Sequence, residues 1–199
     1  MMRAPELGFT LAELLIVIAV AAVLLTVGVP GFRDFILLQR LKGINAQLVT
    51  DLQFARSEAA SRNQWARLSF RSNDAMTCYT IYTAPPPDWA DKPRCNCLLG
   101  AGAACAVPLV EVRTVQVPRS DGVRIEVVRD NENFEFAFAF DHVSGGIFAI
   151  PTDDEPASIN SFKVRSLIDN NLILLNQVGR AGRVKVCAPA STRVGAAAC

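Results

Sequence analysis

The residues best able to do chemistry in this chain are six cysteines, a single histidine and a few isolated acids, and their spacing decides what they are for. Cys78, Cys95, Cys97, Cys105, Cys187 and Cys199 are even in number and all follow a long apolar segment, which points to disulfides in an oxidising compartment. The rival reading is a metal site at Cys95, Cys97 and Cys105. Cys-x-Cys is tighter than finger spacing, and His142 lies far downstream, so no metal is expected. Cys187 is expected to pair with Cys199, tying the tail to the last strand, and the other four to form two bridges within Cys78–Cys105. Four cysteines allow three connectivities, with a Cys95 to Cys97 bridge disfavoured by geometry.

Catalysis asks for a nucleophile, a base and a group that orients them. His142 beside Asp141 is the one candidate base, no Gly-x-Ser-x-Gly setting accompanies it, and Asp141–Gly146 reads as a turn between strands. Gly100 and Gly102 lack the lysine and hydroxyl residue of a phosphate loop. Asp153, Asp154 and Glu155, flanked by Pro151 and Pro156, read as a solvated loop rather than a calcium site. No catalytic residue and no cofactor is therefore expected, and the chain is not read as an enzyme.

Charge points elsewhere. Twenty Lys+Arg against nineteen Asp+Glu leave a formal +1, so no bulk charge draws the molecule to nucleic acid or anionic lipid. Yet from residue 163 onward Lys163, Arg165, Arg180, Arg183, Lys185 and Arg193 stand against the one acid Asp169. Gly179 and Gly182 suit a turn between strands 172–178 and 183–187, which would put Arg180 at a protruding tip. The readings are sequence-indifferent contact with DNA phosphates or a solvated hairpin.

The elements that position these residues follow from hydrophobic patterning. The 199 residues are 51% hydrophobic, enough for one folded domain plus an appendage. Residues 14–29 carry no charge, and Phe9 to Val29 would make about 31 Å of helix, enough to cross a bilayer core. A secretory signal would end in a small-residue cleavage site, whereas this run ends Val27-Gly28-Val29-Pro30. A plain anchor explains the length but not Glu13, because an acid at mid-membrane costs about 2.5–3.5 kcal/mol and wants a partner. Beyond Arg33, Leu38, Leu41, Ile44, Leu48, Leu52, Ala55 and Ala59 recur at helical spacing, while Gly28, Pro30 and Gly31 should bend or loosen the helix.

After Asn63 the period changes to two. Strands are expected at 65–71, 77–83, 109–117, 123–128, 134–140, 146–150, 162–168, 172–178 and 183–187. Phe134, Phe136, Phe138 and Phe140 should form an aromatic row on one sheet face. The stretch 84–108, with Pro85-Pro86-Pro87 and three cysteines, reads as a loop stapled by disulfides. The fold class is α+β, a long N-terminal helix packed on a C-terminal antiparallel β domain.

The run Gly8-Phe9-Thr10-Leu11-Ala12-Glu13, its apolar continuation and Pro30 resemble the leader and first helix of type IV pilins and type II secretion pseudopilins. The stretch 48–68, with its Ala55-Arg56-Ser57-Glu58-Ala59 core, and the ending Gly179-Arg180-Ala181-Gly182-Arg183-Val184-Lys185-Val186-Cys187 resemble the FimT/GspH branch. The residues alone explain the first stretch structurally: Glu58 and Arg62 form an i,i+4 pair, and Arg56 is expected on the solvent side.

The resemblance implies a leader at 1–8, a transmembrane assembly helix at 9–29, its amphipathic continuation at 30–63 and a β-rich domain at 64–199. It further implies a single-pass inner-membrane protein with a periplasmic C-terminal domain. Its partners would be a prepilin peptidase and other pilins or pseudopilins in a fibre, with Glu13 serving subunit assembly. In FimT minor pilins a Gly-Arg-x-Arg motif binds DNA, and Gly182-Arg183-Val184-Lys185 is similar to it, with a lysine that keeps the charge but loses the bidentate fork. The same likeness predicts cleavage after Gly8 and methylation of the new amine on Phe9. Mass spectrometry of the native N-terminus should find N-methylated Phe9; a chain starting at Met1 or near Pro30 would end the pilin reading.

Overall fold

A computed structural model of the chain describes residues 10–84, 95–128, 137–150, 157–158, 161–168, 172–190 and 194–199. One helix, α1 (Leu11–Arg62), precedes ten strands: β1 (Ala66–Ser72), β2 (Met76–Thr83), β3 (Val110–Pro118), β4 (Arg124–Val128), β5 (Ala137–Phe140), β6 (Ile147–Ile150), β7 (Ala157–Ser158), β8 (Ser161–Leu167), β9 (Ile173–Gly179) and β10 (Val184–Cys187). The helical assignment continues through Gly28, Pro30 and Gly31. By contacts the chain divides into two compact units, one ending at Leu37 and one spanning Leu38–Cys199.

In the first unit the helix is apolar on every side from Leu14 to Leu25. Leu14, Leu15, Ile16, Val17, Ile18, Val20, Val23, Leu24 and Leu25 are all exposed. A helix without a polar face needs apolar surroundings from outside itself. Among the described residues no helix is long and apolar enough to cross a membrane. The expected crossing begins at Phe9, which lies outside the described residues.

In the second unit the helical stripe meets the sheets as its spacing predicts. Leu41, Leu48, Leu52, Ala55 and Ala59 are fully buried, with Leu38 and Ile44 packed at the margin. They share one core with Leu68, Phe70, Tyr79 and Ile81 of a six-stranded antiparallel sheet (β3-β2-β1-β5-β6-β7) and Val164, Leu174 and Val178 of a four-stranded one (β10-β9-β8-β4). Aromatic rings join the sheets: the centroid of Phe162 is 4.3 Å from that of Phe138 and 6.1 Å from that of Phe70. Of the expected aromatic row, Phe138 and Phe140 are buried, while Phe134 and Phe136 lie outside the described residues. Strands start or stop within three residues of their expected positions. β7 was without a sequence signal because two residues show no period.

Three disulfides join Cys78 to Cys97, Cys95 to Cys105 and Cys187 to Cys199. The first ties the loop after β2 back onto that strand. The second closes a turn in which the Glu111 carboxylate accepts the N–H groups of Gly102 and Ala104 and the Thr114 hydroxyl. Burial pushes the Glu111 carboxyl up, but these hydrogen bonds outweigh it and hold it below the usual glutamate range. The third holds the tail, where Cys199 N–H donates to the Ala188 carbonyl.

Polar groups fix how α1 is rotated against the sheets. Asp51 is buried on the helix, accepts the Tyr79 hydroxyl at 2.6 Å and pairs with Arg113, so it is bonded to both β2 and β3. On the other flank Asn176 of β9 donates its amide to Asn45 at 2.7 Å. Burial, and then the Asp51 hydrogen bond, push the Tyr79 phenol well above the usual tyrosine range, so it stays a donor. Tyr79→Phe leaves this carboxylate one donor short and should lower unfolding free energy by about 1.5–3 kcal/mol in a urea titration. An unchanged midpoint would show that Arg113 alone satisfies Asp51.

Candidate functional site

The N-terminal acid has a local role of its own. Gly8 and Phe9 lie outside the described residues. Glu13 is the fourth member of a Thr-x-x-Glu capping box: its N–H donates to Thr10 Oγ1 at 3.2 Å, while its carboxylate accepts the Thr10 N–H at 3.4 Å. The Thr10 spacing carried this signal in the sequence, where Glu13 was read only for subunit assembly. The capping groups are exposed, so a stronger partner can displace them.

The C-terminal cations are mounted on a three-residue hairpin loop. Gly182 N–H donates to the Gly179 carbonyl at 2.7 Å and Gly179 N–H to the Arg183 carbonyl at 2.9 Å, a turn closed by a bulge with Gly182 at φ +72°. Arg180, Arg183 and Lys185 are exposed and have no ion pair among the described residues. The tip itself is not free, which corrects the expectation of a protruding Arg180. Its carbonyl accepts the Ile147 N–H at 3.1 Å, so the turn is docked on the start of β6.

Outer contacts are fewer than expected. Arg165 is bound by Glu126 across β8 and β4, with Nε to Oε2 at 2.9 Å, because neighbouring strands place the two side by side. Lys163 and Lys185 both stand opposite Gln177 and so share the outer face of the four-stranded sheet. Arg193 lies outside the described residues, as do Asp153, Asp154 and Glu155.

Arg56 also departs from expectation. It is half-buried rather than on the solvent side, because the β9–β10 turn and the β5–β6 turn close over it. A Cβ on Gly145 would lie 2.7 Å from Arg56 Nε, and one on Gly182 would lie 3.1 Å from the same atom and 2.1 Å from the Gly145 carbonyl oxygen. Both glycines also have positive φ. Glu58 holds Arg62 at 2.5 Å, as the i,i+4 spacing predicts, which leaves Arg56 without that acid. An open groove of about 570 Å³ runs beside Arg56, between α1 and the start of β10.

The Asp141–Gly146 turn is built by its acid. Asp141 Oδ2 accepts the Ser144 N–H and hydroxyl at 2.8 and 2.6 Å, so the serine is bonded to the acid rather than to His142. Burial raises the Asp141 carboxyl, but bonds from Ser144 and Val143 and the nearby His142 outweigh it and hold it below the usual aspartate range. His142 packs edge-on to Trp65 at 6.2 Å. Among the described residues no group of three or more His, Cys, Asp or Glu is placed to hold a metal ion.

Comparison with known families meets this geometry at both ends. Residues 3–29 match the prokaryotic N-terminal methylation motif, and residues 45–194, which hold Arg56, both turns and the hairpin cations, match the type II transport protein GspH. The chain belongs to the GspH family. It is a pilin-like minor pseudopilin in kind, with the long helix and antiparallel sheets of that class. Neither curated proteins nor solved structures gave a match.

For this GspH-family chain, sequence reasoning missed Asp51, Tyr79 and Arg113, and it missed the close approach of Arg56 to Gly145 and Gly182. Gly182→Ala forces a side chain into a left-handed backbone and against the Gly145 carbonyl, and should lower stability by about 1–3 kcal/mol. Gly179→Ala, whose new Cβ meets only the Arg183 oxygen at 3.8 Å, should be neutral or slightly stabilising. Thermal melts of the two variants read the difference, and equal midpoints would show that the hairpin dock carries no load.

Proposed function

We propose that the chain is a structural subunit of a type II secretion pseudopilus, rooted in the inner membrane and added to the fibre through its N-terminal helix. Its mechanism is polymerisation rather than catalysis. The observation that carries this reading is a helix apolar on all sides whose one acid before Asp34 is Glu13. In lipid such a helix is satisfied except at that carboxylate. Cleavage after Gly8 would create an ammonium on Phe9 four residues away, and in a staggered bundle one subunit's ammonium can meet its neighbour's carboxylate. The acid then sets register. Glu13→Ala removes a costly charge, so membrane insertion should persist while entry into the fibre falls. Membrane fractionation reads the first and cross-linking of sheared fibres the second, and normal incorporation would refute the pairing.

A second reading is DNA capture, favoured by three exposed cations around one turn, Arg180, Arg183 and Lys185, which have no ion pair among the described residues. No row of exposed aromatic rings accompanies them among the described residues, so contact would be to phosphates and indifferent to sequence. Dissociation constants on the order of 10⁻⁴ to 10⁻⁶ M and a steep salt dependence are expected. Arg180→Gln with Arg183→Gln should weaken a gel shift at low salt without altering the fold. No shift, or one unchanged in the double variant, would leave the hairpin to assembly alone.

A further inference from the structure

We infer that the groove beside Arg56 takes an extended acidic peptide segment of a partner protein, which adds as a strand to the free side of β10. β10 is the outermost strand of the four-stranded sheet. The turn bonds between Gly179, Gly182 and Arg183 set the phase of the ladder: Lys185 is in bonded pairing with Gln177, so the N–H and C=O groups of Val184 and Val186 point away from β9. Among the described residues the tail meets this side only at Ala188, which bonds Ala197 and Cys199. Val186 stands opposite the fully buried Asn176 and so faces inward, yet it is 36% exposed. An inward-facing valine on an edge unpaired among the described residues is a surface with room for one more strand.

Charge says what that strand carries. Arg56 and Arg183 both line the groove, and among the described residues no acid does. Arg113, Arg62 and Arg165 each have a carboxylate, whereas Arg56, held half-buried under two glycine turns, has none among the described residues. Ser57 already donates its hydroxyl to the Phe54 carbonyl, which leaves the Arg56 guanidinium, held beside the groove by the two turns, as its charged donor. A glutamate or aspartate on the inward side of an added strand would reach Arg56 while the backbone pairs with Val184 and Val186. Arginine's fork suits a carboxylate held that way. The inference concerns the Leu38–Cys199 unit and stands apart from the fibre reading.

The test is amide NMR of the full chain in detergent micelles, titrated with a capped seven-residue peptide of alternating threonine and valine whose central valine is replaced by glutamate. Saturable shifts at the Val184 and Val186 amides are expected, with apparent affinity at least tenfold lower for the glutamine counterpart and for Arg56→Gln. Val186→Pro removes only an outward N–H, so the fold should persist and the shifts should vanish. No saturable shift, equal binding of the glutamine peptide, or undiminished binding to Val186→Pro overturns the inference. A DNA duplex that shifts the same amides as strongly overturns it too, in favour of a phosphate site.

Discussion

Asp51 is a carboxylate taken out of water on a helix that must lie against two sheets, and the arrangement of the second unit depends on how it is satisfied. A buried charge without partners costs several kcal/mol, so the helix is stable only in the rotation that brings Asp51 to Tyr79 and Arg113. At 100° per residue Asn45 then falls about 120° around the helix, on the flank where Asn176 waits in the other sheet. Apolar packing alone would tolerate a slip of the stripe. Two polar contacts on opposite flanks do not. Because they are buried, they add specificity more surely than stability.

The same rotation decides where Arg56 goes. Five residues after Asp51 it lies on the Asn45 flank, facing the hairpin of the four-stranded sheet. Its guanidinium occupies space that side chains at 145 and 182 would otherwise fill. The β5–β6 turn, shaped by Asp141, and the β9–β10 turn, shaped by Gly182, therefore meet over one arginine. The exposed cations at 180, 183 and 185 are held on a docked turn, which limits how far they can fold back onto the protein's own acids. A basic patch on a fixed mount keeps its charges available.

What the sequence disclosed and what it hid divide along contact distance. Periodicity is local, so the helical stripe from Leu38 to Ala59 and nearly every strand could be read directly, as could the Glu58–Arg62 pair. Asp51 looked like one more polar residue, because its partners are 28 and 62 residues away. Arg165 was counted among free cations for the same reason: Glu126 is a neighbour only once β4 and β8 pair. Arg56 was read as solvated because helix geometry alone puts it beside the stripe, and only the folded turns cover it. The glycines at 145 and 182 were visible as turn residues, but the close approach that excludes a Cβ was not.

Glu13 shows a local signal of the opposite kind, one present in the sequence with two readings. As the last residue of a capping box it accepts the Thr10 N–H, an arrangement worth about 1 kcal/mol at a helix start. That bond covers part of the cost of an acid near the membrane interface but leaves most of the carboxylate's lone pairs unused. An ammonium from a neighbouring helix is a stronger partner in low dielectric, and the cap contact is exposed enough to yield to it. Desolvating both charges consumes most of the attraction, so the pair would add little net stability to a bundle. In the proposed fibre it would make every misaligned stagger expensive, because each would leave a charge stranded in hydrocarbon. An acid that is tolerable alone and well satisfied at one offset would then act as a register device, while the surrounding leucines and valines supply the packing.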